Sequence, residues 1–331
     1  MNAGELLAAV GENYDRYLDD RSNSEALRIG GESPDEPHRE AVRGEAEPFL
    51  NVATEADEEN LLCFSEELPE VHEAPYRFLL AYPVELTRLM RVRPLTVDHQ
   101  YYWAWSAQAL SDIQSGSDAV IRSKLANSIQ WFIHLLLARP SPMDQSKLKR
   151  ISEIARTKHQ HRTNENSYEL AAFCSYPILE GFLKDICSDV IEPNGVIREG
   201  EQLHGIDRTY PDDYYRCNSV GDLLHHTEHH VIDTEAEAVM RGLKKEIAKF
   251  GDEGGYRMID RWRNTLLHGQ EIGDIQAGII ANLLCLLVWI SIDKEQFDEQ
   301  HSEIIDSIVS AQQRPGSVQS RTIYPPEINH D

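Results

Sequence analysis

The chain has 331 residues, with 32 Lys and Arg against 56 Asp and Glu, a formal net charge of −24. Its 41% hydrophobic and 8% aromatic residues supply the cores of one or two folded domains and exclude a wholly disordered chain. At ordinary salt so acidic a surface repels nucleic acid and anionic lipid. The cations are nine lysines and twenty-three arginines. Abundant carboxylate with scarce lysine is the composition expected in a salt-rich cytoplasm, where the Debye length falls to about 3 Å at 1 M and long-range repulsion is screened.

Residues 1–60 open on an amphipathic pattern at Leu6–Leu18, without the basic n-region of a signal peptide, so a cytoplasmic location is expected. Gly30, Gly31, Pro34, Pro37 and the acids Glu55–Glu59 then interrupt any period, and this acidic segment is expected to be partly disordered. Over 61–163 a helical N-terminal domain of unknown role is expected, with apolar spacing through Phe78, Leu79, Tyr82 and Leu86 and again through Leu125, Ile129, Phe132 and Leu136. The aromatic run Tyr101–Trp105 has no interleaved cations and reads as core. The polar, basic stretch 141–163 reads as a hinge. A second domain is expected over 164–311, before a disordered tail at 312–331.

In that second unit Ala172, Tyr176, Leu179, Leu183, Ile186 and Val190 form one apolar stripe, with Pro177 expected to kink the helix or mark its start. Further helices are expected near 219–230, 234–250, 255–268, 274–292 and 295–311, and strand signal is almost absent, so the fold class is all-α. Ile275–Ile292 runs without a charge, but Gln276, Asn282 and the flanking Asp274 and Asp293 fit a buried central helix better than a membrane span. His225, His226, His229 and His230 surround Glu228. Their i, i+4 pairs lack the zincin order and read as a solvated or RNA-facing patch rather than a metal site. Five scattered cysteines without a Cys-x-x-Cys pair indicate neither a disulfide framework nor structural zinc, and no cofactor is expected. Gly251–Gly255 reads as an acidic turn, not a phosphate loop.

Against this background the stretch 256–268, YRMIDRWRNTLLH, has three arginines and one acid. On a helix Arg257, Arg261, Asn264 and His268 share one face, and Met258, Ile259, Trp262 and Leu266 the opposite one. Arginine grips phosphate oxygens with a fixed, permanently charged fork, and histidine exchanges protons near neutral pH, so the stripe suits a phosphodiester. His268 precedes Gly269, a helix terminus by its residue type.

Arg263-Asn264-Thr265-Leu266-Leu267-His268 resembles the signature of HEPN domains, in which an arginine followed by a polar residue precedes a histidine. The setting is similar too: a long first helix (YELAAFCSYPILEGFLKDI), the motif, then a very apolar last core helix (IIANLLCLLVWI), over roughly 165–311. The resemblance implies metal-independent RNA cleavage by attack of the ribose 2′-hydroxyl. Arg263 would stabilise the phosphorane, His268 transfer protons and Asn264 position them. It also implies a homodimer with a composite site and an antitoxin or defence partner. The alternative it allows is a non-catalytic module that binds RNA, nucleotide or protein. Glu180 on the first long helix is the candidate to orient Arg263, with Arg261 and Arg257 as support. On a straight helix Arg263 and His268 lie about 140° apart. They converge only if the arginine wraps, the helix breaks before His268, or a second subunit completes the site.

Overall fold

Apolar residues recurring at three and four positions can be buried only against other helices, and the chain meets that need with a helical assembly around one very apolar helix. The computed structural model describes residues 2–8, 71–88, 97–113, 123–137, 167–211, 215–269, 274–292 and 294–312. Residues 3–8 are helical; the rest of the acidic segment, the hinge at 141–163 and the tail beyond 312 lie outside the described residues. Helices α1 (Tyr76–Arg88), α2 (Val97–Ile113) and α3 (Ser123–Leu137) make up the first half, and α4 (Ser167–Ile186) begins the second. There follow α5 (Val220–His226), continued by a π-helical turn over Thr227–Val231, and then α6 (Thr234–Ala248), α7 (Gly255–Leu267), α8 (Asp274–Ile290) and α9 (Phe297–Gln312).

The centre is α8, whose residues from Ile279 to Trp289 are all buried and which packs against α1, α2 and α4. A continuous apolar run is therefore a core helix here, and none of the described helices is long and apolar enough to cross a membrane. The aromatic run of α2 is core as well: Tyr102, Trp103 and Trp105 are fully buried. Several polar atoms that enter this core are paired with one another. Trp103 Nε1 donates to Asn282 Oδ1 at 2.9 Å, Asn282 Nδ2 to Thr87 Oγ1 at 3.1 Å, and Trp289 Nε1 to Ser106 Oγ at 3.0 Å. Through these bonds and the packing of α3 on α4, both halves of the chain share one hydrophobic core across the expected boundary at 163/164.

Two local features go beyond the helical pattern. Pro177 lies inside an uninterrupted α4 rather than at its start. The carbonyl it leaves without a partner belongs to Phe173, and both residues are on the exposed side, where water can take the acceptor. The polar stretch after α4 is not strand-free. Leu203–His204 (β1) and Thr209–Tyr210 (β2) form a two-stranded antiparallel hairpin, pairing Leu203 with Tyr210 and His204 with Thr209. Two-residue strands are too short to show alternation in a sequence.

Candidate functional site

Helix α7 is strongly amphipathic. Met258, Ile259, Trp262 and Leu266 are buried where α7 packs on α5 and α6, leaving Arg257, Arg261, Asn264 and His268 exposed. Its position is fixed by Ser219, the N-cap of α5: the hydroxyl accepts the Asp222 N–H at 3.0 Å and donates to Asp260 Oδ2 on α7 at 2.7 Å.

Two open depressions flank the exposed face of α7, and Arg257, Asp260 and Asn264 line both. One, of about 540 Å³, adds Glu253, Arg261, Thr265 and His268; the other, of about 610 Å³, adds Arg263, Asn218, Ser219 and hairpin residues including Arg208. Arg263 and His268 thus face different depressions, joined by Asn264 between them.

Arg263 leans away from the stripe toward α4. Its Nη2 donates to Glu180 Oε2 at 3.1 Å and its Nη1 to the Asn218 carbonyl at 3.1 Å. Glu180 is held in turn by Lys184, 2.6 Å away and one helical turn on. This half-buried guanidinium is therefore held on two sides, by a carboxylate and by a backbone carbonyl. The helix does not break ahead of His268. It runs to Leu267, the His268 N–H donates to the Asn264 carbonyl at 3.1 Å, and the Gly269 N–H donates to the Leu266 carbonyl at 2.9 Å. Gly269 has φ +72°, the left-handed conformation that glycine adopts without a Cβ clash, and it ends the helix with the His268 ring exposed. Within one chain, Arg263 neither wraps toward His268 nor meets it through a helix break.

The other cations of the stripe hold carboxylates: Arg257 pairs with Asp207 of the hairpin turn, and Arg261 with Glu253 at 3.3 Å. Arg261 shares a depression with His268, as its position on the helical wheel implies. The hairpin residues Asp207 and Arg208 and the loop residues Asn218 and Ser219 join the site without having been legible as part of it, since they lie in short, aperiodic segments.

The histidine cluster takes a form the sequence does not disclose. His204 of β1 joins it, stacking 6.1 Å from His226 and lying 4.5 Å from His230, while His225 meets His229 edge-on at 4.5 Å. The expectation of a solvated patch is corrected for His226, which is buried against the hairpin; its Nδ1 accepts the His204 backbone N–H at 3.1 Å. Burial, with the neighbouring imidazoles adding to it, lowers its pKa to about 4, so it is neutral at ordinary pH. Glu228 is buried too and meets Lys244 Nζ at 2.9 Å, which ties the π-helical turn to α6. Among the described residues no three His, Cys, Asp or Glu side chains form a group able to hold a metal ion. Comparison with protein-family models, with curated proteins and with solved structures finds no match to this chain.

Proposed function

We propose that the chain is an HEPN-like endoribonuclease that cuts RNA by internal attack of the ribose 2′-oxygen, at a site shared between two copies. The observation that carries the reading is Arg263, braced by Glu180 and the Asn218 carbonyl, beside an exposed Asn264 and at the edge of an open depression. A guanidinium held in this way meets a phosphoryl group without ordering itself first, so its charge is ready where negative charge develops. In the reaction the 2′-oxygen forms a bond to phosphorus and the bond from phosphorus to the 5′-oxygen breaks. The proton of the 2′-hydroxyl ends on the departing 5′-oxygen, giving a 2′,3′-cyclic phosphate and a 5′-hydroxyl. Arg263 and Asn264 would neutralise and orient the phosphoryl oxygens, and the exposed His268 would carry the proton. Because Arg263 and His268 face different depressions of one chain, Arg263 of one copy and His268 of another make up the reacting set.

The test is cleavage of single-stranded RNA in molar KCl with EDTA. Cyclic-phosphate ends are expected, with activity lost in R263A and in H268A. Mixing the two inactive variants should restore activity, up to about a quarter of wild type, because half of randomly exchanged dimers then hold one intact site of two. Full activity in H268A, or cutting that EDTA abolishes, overturns the mechanism. One observation favours the second reading, a module that binds RNA, nucleotide or a partner without cutting it: Arg257, Arg261 and Arg263 all already hold a carboxylate. RNA retained but uncut would assign it.

A further inference from the structure

We propose that Arg208, at the turn of the β1–β2 hairpin, is a second contact for the phosphate backbone of single-stranded RNA bound beside Arg263; this rests on the ribonucleic-acid reading above. Three arginines line the larger depression, and they differ in what they hold. Arg263 is bonded to Glu180 and Arg257 to Asp207, whereas among the described residues Arg208 makes only a longer ion pair, its Nε lying 3.7 Å from the Asp222 carboxylate, beyond hydrogen-bond range. Both Asp222 oxygens are already engaged: Oδ1 accepts the Ile206 N–H at 2.9 Å and Oδ2 the Tyr210 hydroxyl at 2.6 Å. The Arg208 side chain is 65% exposed. It is the cation of this depression best placed to exchange water for an incoming anion.

Exposure alone would leave a mobile side chain, but this one is built in. Its guanidinium carbon stacks 4.3 Å over the ring of Tyr210, which is itself buried and pinned through its hydroxyl to Asp222 on α5. The turn is fixed at both ends. The Gly205 N–H donates to the Arg208 carbonyl at 2.8 Å, and Gly205 presses so closely on α5 that a Cβ there would stand 2.6 Å from Asp222 Cγ. A guanidinium stacked on a ring keeps its N–H edge outward and loses little freedom on binding, which suits a fork-shaped contact to a phosphodiester. With Arg263 on α7 and Arg208 on the hairpin lining one depression, successive phosphates of one strand find a charge from each wall. The carboxylates of the same walls are occupied: Asp207 by Arg257, Asp222 by Tyr210 and Ile206, and Asp260 by Ser219.

The experiment is anisotropy of a labelled single-stranded RNA, 2′-O-methylated throughout so that it cannot be cut, titrated at several KCl concentrations. R208A is expected to bind about tenfold more weakly. Its dependence of log affinity on log salt should be shallower by about 0.7, the loss of one phosphate contact on a single strand. R208K should keep the wild-type slope while losing part of the affinity, because the charge stays and the stacked fork does not. Wild-type affinity and slope in R208A overturn the proposal and leave the ribonuclease reading standing. A weaker R208A with an unchanged slope also overturns it, since that marks a structural role. A wild-type protein that binds no RNA removes both.

Discussion

Glu85 offers a sharp test of how the two halves of the chain are joined, because it is a carboxylate buried where α1 meets α6. Its side chain is 3% exposed and lies 2.8 Å from Arg88, which also reaches Glu246 of α6 at 3.3 Å. Burial, opposed by Arg88 and reinforced by Glu246, raises its pKa from 4.5 to about 7. A raised folded pKa means that the folded protein binds the proton more tightly than the unfolded chain does. The resulting stability is complete below pH 4.5 and is lost as pH rises through about 7. At about 1.4 kcal/mol for each pH interval separating the two pKa values, the full effect is about 3 kcal/mol, most of it developed between pH 5 and pH 8. Glu85→Gln keeps the shape and removes the titration. Measured by urea unfolding followed through tryptophan fluorescence, the E85Q protein should gain on wild type by about 3 kcal/mol between pH 5 and pH 8. Parallel pH dependences in the two proteins would refute the reasoning, because they would mean that Glu85 ionises as freely folded as unfolded.

Two further outcomes are expected. Asn282→Ala should lower the unfolding free energy by about 2–4 kcal/mol, since the buried Trp103 N–H loses its acceptor and a cavity remains, whereas N282L combined with W103F should recover most of the loss in the same urea assay. Glu180→Ala releases Arg263 from its brace, so kcat for RNA cleavage should fall about tenfold with KM little changed. Measured as affinity for uncleavable RNA, the same change made in R263A should add nothing; additive effects would show that Glu180 acts other than through Arg263.

Much of the helical layout is legible in the spacing of apolar residues. The expected helix at 255–268 is observed as Gly255–Leu267, and that at 274–292 as Asp274–Ile290, because a long run with a 3.6-residue period has few other ways to bury its apolar face. The polar face of α7, with Arg257, Arg261, Asn264 and His268 exposed together, is legible for the same reason. The Arg263–Glu180 contact is legible only as a candidate, since residues 83 positions apart meet according to how α4 and α7 pack, which no local period encodes. The β1–β2 hairpin is not legible in the sequence: its two-residue strands are held by Asp222 and His226 of α5 rather than by any strand propensity of their own. His204 joined the histidine cluster through that same docking.

The sequence by itself therefore determined the all-α class, the central role of the uncharged helix, and an amphipathic segment whose polar face gathers arginines in a chain of charge −24. These follow from composition and from the geometry of one helix, both of which are local. The tertiary structure decided how closely each arginine is held by a carboxylate, that Arg263 and His268 line different depressions beside α7, and that Arg208 lines the same depression as Arg263. The physical reason is that an arginine's reach for an anion depends on the acids that neighbouring elements bring within about 4 Å, and packing alone sets that distance.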